Sequence, residues 1–171
     1  VHAIGDRAIE RCIDLYERLL DDAPRRDHRH RIEHASIMAP DQIARLVRLG
    51  LCVSTQPLFI NSEKDWLHRR LGAERARHVY PLRALIDAGV LVAGASDAPV
   101  ESLDVLHAMQ CCVTREGFEP QQSLSPAEAL RLFTTNAARL QFEEDEKGAL
   151  RAGMRADLVV LSASPLAVEP T

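Results

Sequence analysis

Three polar residues, each closing a short apolar run, recur along this chain at the interval of one strand-and-helix unit. His2 and His34 are 32 positions apart, and Asp97 lies 63 positions beyond His34. A closed barrel of eight parallel strand–helix units takes about 250 residues, roughly 31 per unit. The two intervals therefore correspond to one unit and to two. Side chains at the C-terminal ends of parallel strands share one rim, where barrel chemistry is built, so this spacing is expected to bring His2, His34 and Asp97 together.

The intervening residues support that reading. Ile9, Ile13, Leu15, Tyr16, Leu19 and Leu20 recur at helical spacing and stop before Pro24. Ile32 to Ala35 reads as a strand, Pro40 to Gly50 as a helix opened by proline and closed by glycine, and Leu51 to Thr55 as the next strand. Residues 61–89 are predicted to be helical in pieces, broken at Gly72 and Pro81. Val90 to Gly94 is the small apolar run of a buried parallel strand. Two helices should follow, Ser102 to Val113 and Ser125 to Leu140, the second opening on a capping box from Ser125 to Glu128. Ala156 to Leu161 reads as a strand of another layer.

This order is that of an α/β protein with a parallel sheet. The expected architecture is the second half of a TIM (β/α)8 barrel, strands 5 to 8, in residues 1–145, with a C-terminal strand of a small β-sandwich in 146–171. Four parallel strands leave two raw edges, so the rest of the barrel is expected from a longer chain or from a separate piece.

Composition removes other classes. With 171 residues, 46% hydrophobic and 27% charged, the chain matches an ordinary globular domain. Acidic residues outnumber basic ones, 25 to 21, which disfavours nucleic acid as a partner. Charges interrupt every long apolar segment, so no membrane span is expected, and the first residues lack a leader pattern. Cys12, Cys52, Cys111 and Cys112 show no CxxC spacing, and the adjacent pair is poorly placed to bridge. Reduced thiols and a cytoplasmic setting follow as expectations.

Two imidazoles and a carboxylate are ordinary ligands for a divalent metal such as zinc. An aspartate beside such an ion can also take the proton of an attacking water and return it to a leaving group, the chemistry of hydrolysis or deamination. The plainer reading is that strand-end polar residues cap helices and solvate loops.

Five motifs sharpen the choice: His2-Ala3-Ile4-Gly5-Asp6-Arg7-Ala8, Arg29-His30-Arg31-Ile32-Glu33-His34-Ala35, Gln56-Pro57, Ser96-Asp97-Ala98-Pro99-Val100, and the stretch from Gly148 to Leu161. In that order, across nearly the whole chain, they resemble the YtcJ-like branch of the metal-dependent amidohydrolase superfamily. The resemblance implies that His2 and His34 end barrel strands five and six as metal ligands. It makes Asp97, ending strand eight, both ligand and proton shuttle. It also implies a strand-one His-x-His pair and a strand-four bridging residue that this sequence does not contain, so the chain by itself is expected to bind metal weakly and not to turn over. The implied activity is hydrolysis of a non-peptide carbon–nitrogen bond, amide or formamide, in a small-molecule substrate. The alternatives are a deaminase of the same superfamily and a non-catalytic remnant serving as a binding or assembly piece.

Among the remaining residues, Gln56 follows a strand run and is a candidate for substrate contact, and Trp66 for a pocket wall or simple packing. Asp6 suits an N-terminal cap or a partner for a ligand. His28 and His30 precede their strand and belong on the barrel's stability face. The basic run Arg25 to Arg31 reads as a solvated loop, and His68, His78 and His107 as surface or packing residues.

Overall fold

The computed structural model describes residues 1–169. Four short strands, β1 (His2–Ala3), β2 (Arg31–His34), β3 (Cys52–Thr55) and β4 (Val92–Gly94), form one sheet, parallel throughout and ordered as in the sequence. The crossovers are helical. α1 (Asp6–Asp22) links β1 to β2, α2 (Pro40–Leu49) links β2 to β3, and α3 (Leu58–Ala76) with α4 (Leu82–Asp87) links β3 to β4. After β4 come α5 (Val105–Thr114), two short 3-10 turns, α6 (Pro126–Phe133) and α7 (Thr135–Leu140).

Local chemistry fixes the boundaries. α2 opens on Pro40, the Gln42 side chain accepts the Ala39 N–H at 3.1 Å, and Gly50 closes it at φ 66. Gly72, at φ 75, kinks α3 where the sequence predicts a break. At α6 the Ser125 hydroxyl accepts the Glu128 N–H at 3.3 Å and the Glu128 carboxylate accepts the Ser125 N–H at 2.8 Å, the reciprocal cap.

One face of the sheet packs against the helices. Ile9 and Ile13 from α1, Ile32, Leu46, Val53, Leu85 and Val92 are all buried there. Alternation sends Arg31 and Glu33 to the other face, where they pair at 2.5 Å. Cys52 and Ala93 form a smaller cluster with Leu140 of α7. The four cysteines are free and buried, and no helix among the described residues is long and apolar enough to cross a membrane.

β1 and β4 each have a single neighbour. On β4, Leu91 and Ala95 bond to β3, which turns the Val92 carbonyl outward. There it accepts the Asn136 side-chain N–H at 2.9 Å.

Three expectations need correction. Ser125 to Leu140 is two helices, broken at Thr134 (φ −126, ψ −97). The Thr134 hydroxyl donates back to the Leu130 carbonyl at 2.8 Å, a bond that competes with helix continuation. Ala156 to Leu161 forms no strand; Val159 and Val160 are exposed, and no described residue offers the neighbouring backbone that a ladder requires. Finally, His2 opens its two-residue strand and does not close it.

Candidate metal centre

The rim is made by backbone that leaves the strands abruptly. His34 (φ 74) and Ala35 (φ 52) end β2 in left-handed conformation, and Asp97 (φ 61) does so after β4. Non-glycine residues rarely adopt it, and such outliers concentrate at functional sites. Here they bring the His34 Nε2 and an Asp97 carboxylate oxygen to 4.0 Å. The His2 ring meets the His34 ring edge-on, centroids 4.4 Å apart, and Phe59 of α3 stands against His34 at 6.2 Å.

The His34–Asp97 separation is too long for a hydrogen bond. It is a few tenths of an ångström wider than two donors keep on one tetrahedral ion, whose bonds to nitrogen and oxygen are each about 2.0 to 2.2 Å, so a shared ion would draw the two side chains slightly together. Burial holds the His34 imidazole below its ordinary pKa, the neighbouring His2 adds to this, and Asp97, Glu33 and Gln56 push back more weakly. The neutral ring is the form that ligates a metal. Gln56 is buried beside this histidine, its N–H reaching the Ser54 carbonyl at 3.4 Å while its own Oε1 accepts no hydrogen bond. Buried polar atoms are seldom left so. The donor set and this orphaned oxygen fit a cation with a polar substrate beside it.

Other residues fall away from the rim. Asp6 stands at the start of α1, where one carboxylate oxygen accepts the Arg7 N–H at 2.8 Å and the other accepts from Arg75 at 2.9 Å. His28 donates through Nε2 to the Leu49 carbonyl at 3.0 Å and stacks on His30, at the strand-entry end. Trp66 packs under Arg70. The basic run is more than a solvated loop, because Arg29 lies between Asp27 (2.8 Å) and Glu144 (2.6 Å) with its guanidinium over Phe142. It ties the strand-entry end to the segment after α7. His107, Cys111 and Glu116 form the one group of three metal-ligating side chains among the described residues whose ligand atoms all lie within 4.8 Å of one another. The linear spacing places His107 and Cys111 on one side of α5 but does not announce Glu116, since the backbone reversal that brings it back depends on tertiary contacts.

The sequence profile of the amidohydrolase family matches residues 1–171. The chain belongs to this family. It is 34% identical over 179 residues to the Bacillus subtilis protein named "Putative amidohydrolase YtcJ", a match spanning 99% of this chain and 33% of that protein. It is 32% identical to the N-substituted formamide deformylase of Arthrobacter pascens, over 97% of this chain and 32% of that enzyme. Among solved structures, a metal-dependent hydrolase from Pyrococcus furiosus superposes with a TM-score of 0.85 at 35% identity, covering 97% of this chain and 33% of its own. This amidohydrolase chain thus spans about a third of the length of the relatives it matches.

Proposed function

We propose that this chain supplies strands 5 to 8 of an amidohydrolase barrel that cleaves a non-peptide carbon–nitrogen bond, amide or formamide, in a small molecule. In this reading His2, His34 and Asp97 hold a divalent metal, residues 1–145 belong to the barrel, and 146–171 to a β-sandwich segment. The observation that carries it is the 4.0 Å approach of His34 to Asp97 on the rim, with His2 edge-on to the same ring. The identity shared with a formamide deformylase supports the bond type, and the two unpaired sheet edges support a partner half carrying the remaining ligands.

A divalent ion such as zinc, held there by these three residues, would supply Lewis-acid polarisation of the carbonyl and a more acidic water. The residues of this chain do the rest. His2 and His34 present lone pairs and orient the centre. The Asp97 carboxylate takes the proton of the attacking water and hands it to the departing amine. Gln56, through its free Oε1, accepts a hydrogen bond from the substrate's N–H, and Phe59 walls the site from water.

The test is Asp97→Asn in the complete barrel. Hydrolysis should fall by at least about a hundredfold, the low end for a lost general acid–base, with the thermal melt unchanged. Near-normal turnover of amide substrates would remove Asp97 from this role.

A further inference from the structure

α5 carries His107 and Cys111 four residues apart, so both lie on one side of the helix. The chain then reverses on two consecutive left-handed residues, Arg115 (φ 57) and Glu116 (φ 51). Arg115 locks this reversal from within. Its side chain is fully buried and donates to the carbonyls of Phe118 (3.1 Å), Tyr80 (2.9 Å) and Val79 (3.1 Å). The Thr114 hydroxyl accepts the Glu116 N–H at 3.2 Å. Glu116 is thereby folded back over the helix, and the ligand atoms of His107, Cys111 and Glu116 all come within 4.8 Å of one another.

We propose that His107, Cys111 and Glu116 form a second divalent-cation site, in the outer helical layer, that takes a borderline-soft ion such as Zn²⁺ or Co²⁺. One imidazole nitrogen, one thiolate sulfur and one carboxylate oxygen make a three-ligand set that leaves a fourth tetrahedral position open. Donors on a shared tetrahedral ion stand roughly 3.3 to 3.8 Å apart, so closing from the present spacing takes side-chain movement alone. His107 and Glu116 are half-buried while Cys111 lies beneath them, which gives the site an outer mouth. Positive charge already sits there: the Lys64 ammonium contacts the Glu116 carboxylate at 3.1 Å. A carboxylate offers two oxygens, so Lys64 needs to keep no more than one. As the metal–sulfur bond forms, the Cys111 thiol proton leaves to solvent. The site shares no residue with His2, His34 and Asp97.

Cobalt distinguishes the two, because a sulfur-to-cobalt charge-transfer band in the near ultraviolet requires a thiolate and the rim ligands include none. Co²⁺ titrated into the reduced chain should produce that band, saturating at one equivalent. Cys111→Ser should abolish it, His107→Ala and Glu116→Gln should weaken binding at least about tenfold, and His34→Ala should leave it intact. Circular dichroism reports whether each variant is folded; should Cys111→Ser unfold, the half-exposed His107→Ala decides. No band, a band surviving in folded Cys111→Ser, one unaltered in His107→Ala, or one lost in His34→Ala would each overturn the proposal.

Discussion

At Gly94 there is room for a hydrogen atom and nothing larger. A Cβ built there would come within 2.5 Å of the Phe133 ring, and Phe133 is held by α6 packed against β4. Gly94→Ala should therefore cost about 1 to 3 kcal/mol, the usual penalty of overpacking, read as a lower denaturant midpoint with unchanged slope. This glycine lies three residues before Asp97, so the same close approach sets the exit of β4 toward the rim. At this scale the sequence speaks plainly where chemistry and interval coincide: His34 and Asp97 close apolar runs at the spacing of whole strand–helix units, and the structure brings them to 4.0 Å. It is silent where the determinant is a tertiary contact. Arg115 belongs to no motif in the sequence, and it is fully buried on three carbonyls. Glu116 comes back toward His107 through that burial, which no local pattern records.

Helices were legible where their end chemistry is written in the sequence. α2 begins at Pro40 and stops at Gly50, and α6 begins behind its Ser125–Glu128 box. The break at Thr134 has no legible counterpart in the sequence, because threonine carries no fixed signal for back-bonding to a carbonyl. Ala156 to Leu161 has strand composition and no strand, since composition cannot supply a partner backbone. The α6 cap also carries a pH signature. Arg83, then the Ser125 backbone and hydroxyl, hold the Glu128 carboxyl down to about 2, below the roughly 4.3 of an unfolded glutamate. A pKa depressed on folding adds stability that is complete above the unfolded value and lost as pH falls through the folded one. Stability should thus decline between about pH 4.3 and 2, and Glu128→Gln should flatten that part of the curve in urea melts taken across the range. An unchanged slope would mean that the ion pair with Arg83 contributes nothing measurable.

On the scale of the whole molecule, the four strands make an arc with two unpaired edges, one of them partly covered where Asn136 binds the Val92 carbonyl. The arc carries two imidazoles and a carboxylate on its rim, and the family to which it belongs includes proteins about three times as long. On the proposed reading, three ligands on an incomplete rim would hold an ion loosely, and pairing of both edges would supply the rest. The direct measurement is metal content by elemental analysis in a Cys111→Ser background, which silences the outer cation site. It is made on the chain alone, on the chain joined with strands 1 to 4, and on the joined form carrying His34→Ala. The account predicts little metal in the first, stoichiometric divalent metal in the second and its loss in the third. Stoichiometric metal in the joined form that survives His34→Ala, or no metal in any preparation, would contradict the assignment of this rim as a metal centre.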